Sequence, residues 1–421
     1  MWLCCSHYRC RNGGCKLKLV RNAHRVFHDA PEGNDFLAAI TLTDAERDDL
    51  RRARDVIREA LRTGFRNLGG VIQKQDLFER RFLGGNIAWP IALSPKFHMQ
   101  GSFAYHTINS PAQTPPQEID VDDGVYLPTS FISAGGTRHP IIASNGYFTA
   151  VEKILEPVCE ENGWKLRRDK ITCVRVVLSK KAHIDLPLYA IPDEQFVELV
   201  EKAMAMESIV ASEIDAIDLP NRVYRELRED ELMLAHREEG WKESDPRKIE
   251  TWFTNAVADH GPQLRRICRY IKAWRDHTWT TSPLSSIAIM RCIVDAFDDV
   301  DGILSPMRDD FALLTVAERL PDLLSNRIEN PVIADQFLDD GWDDAQRNEI
   351  VSAAKSFAKM VRQALTGPTD STGALSLLIS ALGTRIPNDT SLVIPMTEEA
   401  KVLSYKPTPL AAPTVPRTTS G

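Results

Sequence analysis

Apolar residues recur along this chain with two different periods. After the capping box Thr43-x-x-Glu46, Leu50, Ala53, Ile57, Ala60, Leu61 and Phe65 return every three or four positions, with Arg and Asp/Glu filling the opposite face. That spacing predicts a long amphipathic helix ending at Gly69-Gly70. An irregular segment runs to about Pro95, and a turn, strand, strand unit is expected after it. Ala150, Val151, Ile154, Leu155 and Val158 mark the buried face of a helix from Ile141 to about Asn162, with Gly163 as its stop. The period then shortens to two. Ile171–Leu178 and Ala182–Ile191, joined by Ser179-Lys180-Lys181, read as strands.

From Asp193 onward strand signals nearly vanish. Helices are expected over Asp193–Ser212, from the cap Asp245-Pro246 to about Asp259, over Leu264–Trp274, and over Ile287–Phe297 after Ser285-Ser286. Arg265, Arg269 and Lys272 form a basic stripe, which by itself is an ordinary solvated helix face. The fold class is α+β, with spans 1–41 (a flexible extension), 42–212 (a mixed core), 213–400 (a helical lobe) and 401–421 (a tail rich in Pro, Thr and Ala).

The totals narrow the function. At 421 residues the chain can bury a large core. Its net charge of −8 argues against an extended nucleic-acid-binding surface and against stable nucleic-acid binding. No apolar run approaches the roughly 18 residues of a spanning helix, and the N-terminus lacks the apolar core of a secretory signal. A cytoplasmic protein with reduced thiols is expected. Cys4, Cys5, Cys10 and Cys15 lack the paired spacing of a zinc site, whereas Cys159, Cys173, Cys268 and Cys292 sit in apolar surroundings and read as core. No P-loop, dinucleotide-binding glycine motif or H-E-x-x-H is present.

The candidate chemistry lies in Gln100–Tyr126. Gly101-Ser102 can offer N–H groups and a hydroxyl to a phosphate. Asp120 and Asp122 project from one face of a strand and Asp123 from the other, so Asp123 is not expected to hold a metal. Two carboxylates on one face repel unless a cation lies between them, and oxygen ligands suit Mg²⁺. The same pattern arises by chance in acidic chains, and Asp298-Asp299, Asp309-Asp310, Asp339-Asp340 and Asp343-Asp344 are further acidic pairs here. Asp185, alone in an apolar strand, either joins that metal site or caps a strand end before Pro187. Ser285-Ser286 is a phosphate-accepting helix start or a plain N-cap.

Four ordered runs, QGSFAYHT, PPQEIDVDDGVYLP, AHIDLPLYAIP and RYIKAWRD, together resemble the bacterial cGAS/DncV-like nucleotidyltransferases, the cyclases of CBASS antiphage defence. The likeness spans roughly Leu42 to Asn388 and is strongest to the 3′,3′-cGAMP-synthase branch. It implies a polymerase-β-like nucleotidyltransferase core with a helical second lobe. Asp120, Asp122 and Asp185 then become the catalytic, metal-binding carboxylates, holding two Mg²⁺ ions. Gln100, Gly101, Ser102, Phe103, Ala104 and Tyr105 become the nucleotide loop. Arg175, Lys272 and Ser286 become nucleotide contacts, with Ser244 and Asp335 aligning less firmly. ATP and GTP are the implied substrates, and a downstream effector would see only the product. Ubiquitin-transfer-like proteins acting on the C-terminal Gly421 are the implied partners. An RNA-tailing nucleotidyltransferase and a non-catalytic nucleotide-binding protein are the rival readings.

Overall fold

A computed structural model describes residues 19–78, 95–134, 137–192, 232–300 and 304–397. The expected Asp193–Ser212 helix, the four N-terminal cysteines and Gly421 lie outside the described residues. One half of the chain builds on a seven-stranded mixed sheet. Its strands are β1 (Lys96–Gln100), β2 (Ile119–Thr129), β3 (Lys165–Arg167), β4 (Cys173–Val177), β5 (Ala182–Pro192), β6 (Met233–His236) and β7 (Gly240–Glu243). β2 and β5 run parallel side by side, β1 pairs antiparallel with β2, and β4 and β6 both pair antiparallel with β5.

Two helices cover one face of this sheet. Helix α1 (Asp44–Arg66) opens with the expected Thr43–Glu46 capping box and buries Leu50, Ala53, Ile57, Leu61 and Phe65. A one-turn helix α2 (Gly101–Ala104) follows β1. The second covering helix, α3 (Ser144–Asn162), is stopped by Gly163 in the left-handed conformation. The helices pack on Val121, Val125, Ile184, Leu186 and Leu188, the residues of odd parity in β2 and even parity in β5. Alternation leaves Asp120, Asp122, His183 and Asp185 for the opposite face.

The second half is helical. It comprises α4 (Pro246–His260), α5 (Gln263–Thr278), α6 (Ser286–Asp298), α7 (Asp309–Ser325), α8 (Asp344–Thr366) and α9 (Ser371–Leu382) around a separate apolar core. Asp245 and Ser285 cap α4 and α6 with their side chains, as the sequence suggests.

Three expectations change. First, the unit after Pro95 is strand, helical turn, loop and one continuous eleven-residue strand. Second, β6 and β7 extend the sheet beyond residue 212. They are four residues each and draw their pairing from the exposed edge of β5, so they carry almost no periodic signal. Third, residues 19–40 are not a loose extension. Ala23, Val26, Phe27, Phe36 and Ile40 are buried in the helical core. Arg21–Asn22 pair with Ile394–Pro395, and the Ala23 N–H donates to Asp310 at 2.8 Å.

Asp123 is fully buried on the helix-covered face, where Arg58 of α1 grips it with Nε and Nη2; the Nε contact is 2.7 Å. Removing one partner of a buried pair strands the other charge. Arg58→Met is therefore expected to cost about 3 kcal/mol or more in denaturant unfolding. Asp123→Asn is expected to cost less, because the half-buried Arg58 retains a route to water. Equal losses from the two would show that the pair is not the source of the stability.

Candidate active site

The register of the sheet assembles the site. In the parallel β2–β5 pair, Asp120 stands opposite His183 and Asp122 opposite Asp185. In the antiparallel β4–β5 pair, Arg175 stands opposite Asp185, and its guanidinium meets both carboxylate oxygens at 2.6 Å. One ligand atom each of Asp120, His183 and Asp185 lies within 4.8 Å of the others. Asp120, Asp122, His183 and Arg175 line the foot of a cleft of about 740 Å³ between the sheet and the helical lobe, whereas Asp185, gripped by Arg175, is buried and not among the lining residues.

The opposite wall comes from α5 and α6. Lys272 is buried, lines the cleft and donates from Nζ to the Thr107 carbonyl at 2.9 Å. Arg275 donates to Ser286 Oγ at 3.0 Å and pairs with Asp276. Hydrogen bonds across the cleft's sides frame it: Gln117 Nε2 donates to the Asp276 and Trp279 carbonyls, Arg269 to Asn109 and Thr41, and Arg385 to the Ser110 carbonyl.

Not every residue of the expected nucleotide loop faces the cleft. Gly101, Ser102 and Tyr105 line it. Gly101 has a φ of +63°, and a Cβ there would fall on the Asp122 carboxylate, so the loop approaches β2 only because this residue is glycine. Gln100 turns inward instead, bridging the stacked rings of Tyr126 and Tyr189. Phe103 packs on the sheet core and Ala104 on the helical core. Ser244 follows β7, and Asp335 lies exposed in the loop before α8 with a φ of +59°. Neither lines the cleft. Residues that the motifs did not single out do line it: Glu118, His183, Thr107, Arg275 and the Trp279–Ser282 turn. Period-two alternation carried the signal for two of them, since Glu118 leads Asp120, and His183 leads Asp185, by two positions.

Charge is uneven across the site. Burial, then the neighbouring charges of Asp120 and Asp185, push the Asp122 carboxyl up to about 7. Desolvation by the cleft walls acts the same way on Asp120, although half of its side chain stays exposed, but its contact with the His183 imidazole, aided by Arg175 and Lys272, outweighs this and holds the carboxyl below the usual range. Burial lowers the Lys272 ammonium to about 8, with Arg275 adding to the effect. Asp120 and Asp185 converge with His183, and Asp122 stands opposite Asp185 in the register, so the donors are mostly carboxylate oxygens, which fits a divalent cation such as Mg²⁺.

Residues 95–189 match the family model described as "Cyclic GMP-AMP synthase DncV-like, nucleotidyltransferase domain", and residues 261–395 match "Cyclic GMP-AMP synthase, C-terminal domain". A cyclic GMP-AMP synthase of Escherichia coli is 34% identical over 310 residues, covering 71% of this chain and 69% of the relative. The chain belongs to the DncV-like nucleotidyltransferase family. A cyclic GMP-AMP synthase of Vibrio cholerae is 28% identical over 90% of this chain and 94% of the relative. The crystal structure of Vibrio cholerae DncV cyclic AMP-GMP synthase with the linear intermediate 5′ pppA(3′,5′)pG superposes with a TM-score of 0.72 at 26% identity, covering 90% of this chain and all of that one. As in this family, the fold is a polymerase-β-like core joined to a helical lobe. Among the described residues, no helix is long and apolar enough to cross a membrane.

The raised Asp122 carboxyl has a consequence for stability. The unfolded chain ionises it near its ordinary value of 3.8, the folded chain only near 7. Its stabilising contribution is therefore full below about 3.8 and is lost as pH rises through about 7. Metal-free Asp122→Asn protein is expected to melt several degrees above wild type at pH 8. That gap should close as pH falls towards 4. A gap independent of pH would contradict the crowding of charge at Asp122.

Proposed function

We propose that this cyclic dinucleotide synthase makes 3′,3′-cGAMP from ATP and GTP, releasing pyrophosphate, as the second-messenger step of antiphage defence. One observation carries the reading. The β2–β5 register sets Asp122 against Asp185, and Asp120 and Asp122 line a cleft whose far wall holds Lys272 and Ser286. The names of the relatives support the product.

Each half-reaction joins a ribose hydroxyl to an α-phosphate and expels pyrophosphate. Two divalent cations held by Asp120, Asp122 and Asp185, Mg²⁺ in this reading, supply activation of the attacking hydroxyl and neutralise the leaving oxygens when bound. The chain's own groups do the rest. Asp185, on the strand facing both other carboxylates, is placed to take the proton of the attacking hydroxyl. The Gly101-Ser102 turn, Lys272 and Ser286 hold the triphosphate in line. Arg175, beside Asp185, reaches substrate from the neighbouring strand. Tyr105, wedged edge-on against Phe253, offers a ring to a base. Gln100 supports that loop from behind. Ser244 and Asp335 would contact nucleotide only after movement of their loops towards the cleft.

Purified protein with Mg²⁺ and labelled ATP plus GTP is expected to form a small phosphatase-resistant product without added RNA. Asp122→Asn should lower its yield by more than the roughly 100-fold that outer-shell changes at metal sites cost. A labelled polymer attached to RNA would point to a tailing enzyme. Absence of product from folded protein would point to a nucleotide-binding scaffold.

A second element of the proposal, which follows from the family resemblance, is conjugation at Gly421 by ubiquitin-transfer-like proteins. Co-expression with such proteins should give a higher-mass adduct that disappears on deletion of Gly421. Adduct formation by the truncated chain would exclude that glycine as the point of attachment.

A further inference from the structure

Beside Asp120 the cleft wall carries two side chains that the reaction outlined above leaves unused. Glu118, immediately before β2, is two positions from Asp120, which alternates with Asp122 along the strand, and the parallel register sets His183 directly opposite Asp120. His183 is only 4% exposed. Its Nδ1 lies 2.5 Å from Glu118 Oε2, a hydrogen bond that holds the ring in plane between the strands. Its Nε2 lies 2.8 Å from Asp120 Oδ1. That contact is off the hydrogen-bond axis, so Nε2 makes no aligned bond and meets the carboxylate by charge and contact.

Asp120 needs such a support more than Asp185 does. Its side chain is 51% exposed to the cleft, whereas Asp185 is buried and gripped on both oxygens by Arg175. An unsupported carboxylate at the cleft edge keeps its rotamer freedom and gives that up when it binds a cation. A histidine fixed by a second carboxylate is the arrangement that removes such freedom at metal sites.

The geometry points to His183 as a positioning residue: braced by Glu118, it holds the Asp120 carboxylate facing the space it shares with Asp122 and Asp185. The inference rests on the reading that these carboxylates bind divalent cations. His183 itself touches neither substrate nor the reacting atoms in this role. The Glu118–His183 pair sets how tightly Asp120 engages a cation, not which reaction follows.

Mn²⁺ titration of the full-length protein, read by electron paramagnetic resonance at a fixed pH of about 8, tests this alongside thermal melting. His183→Leu is expected to weaken Mn²⁺ binding by about 10- to 100-fold, the usual effect of losing an outer-shell partner. His183→Gln, whose amide N–H can reach the same Asp120 oxygen, should recover most of that loss. Glu118→Gln, which keeps an acceptor for Nδ1 without the charge, should fall between the two, and all variants should melt close to wild type. Wild-type affinity in folded His183→Leu would overturn the proposal. So would equal losses in His183→Leu and His183→Gln, which would make the imidazole a direct ligand or a packing group. If His183→Leu does not fold, Glu118→Gln decides, and wild-type affinity there overturns the brace. Wild-type protein that binds no Mn²⁺ would instead defeat the cation reading, and the brace with it, which separates the two failures.

Discussion

Like charge crowded on one face of two parallel strands is the constraint to which the structure answers. The β2–β5 register aligns Asp120 with His183 and Asp122 with Asp185, and the sheet cannot shift it by one residue without sending Val121 and Ile184 out of the helix-packed core. Apolar burial on the covered face therefore enforces electrostatic repulsion on the open one. The surrounding side chains divide that repulsion among them. Arg175 compensates Asp185 on both oxygens, His183 compensates Asp120, and Asp122 is left with a carboxyl pushed up to about 7.

The helical lobe completes the charge balance from across the cleft. Lys272 can stay buried because the Thr107 carbonyl accepts a hydrogen bond from its Nζ, and burial has already lowered its affinity for the proton. A cation placed this way is useful only if the wall carrying it is fixed relative to the carboxylates. The Gln117, Arg269 and Arg385 hydrogen bonds provide that fixity at three places around the cleft rim. Residues 19–40 add to it from behind. Buried Asp309 and Asp310 tie them to α7, with Asp310 receiving the Ala23 N–H and the Asp309 N–H donating to His24 Nδ1.

The strands that carry Arg175 and Asp185 are legible because their signals are local. Ile171–Leu178 and Ala182–Ile191 alternate cleanly, and α1 announces itself by its capping box. The same alternation separated Asp123 from its neighbours, and the structure puts it on the far face against Arg58. What stayed hidden depends on pairing between distant segments. β6 and β7 exist because β5 offers them an open edge, and residues 19–40 are ordered because the helical core, more than 200 residues downstream in places, has room for Phe27 and Phe36 beside Tyr270. Gln100 shows the limit of a motif. Its neighbours Gly101 and Ser102 face the cleft, yet one step back along the strand the same run turns a side chain into the Tyr126–Tyr189 stack.

The glycine at 101 links these two behaviours. Gln100 is locked in the sheet opposite Asp122, and the chain must leave the strand at once to present N–H groups at the cleft. Any side chain at the next position would collide with the Asp122 carboxylate and would have to adopt a backbone conformation that L residues rarely take. In the proposed reading, phosphate loop and cation site therefore lie as close as the backbone permits. That closeness couples them electrostatically. Near neutral pH the Asp122 carboxyl retains a proton for part of the time, and a bound cation displaces it, since a ligating carboxylate must be ionised. A triphosphate arriving on the Gly101–Ser102 turn brings its negative charge to within a residue of that carboxylate. Alone it would favour the proton, whereas with its cations it favours ionised Asp122. In that reading the site accepts nucleotide and cation together and resists either nucleotide alone or an empty, fully ionised state.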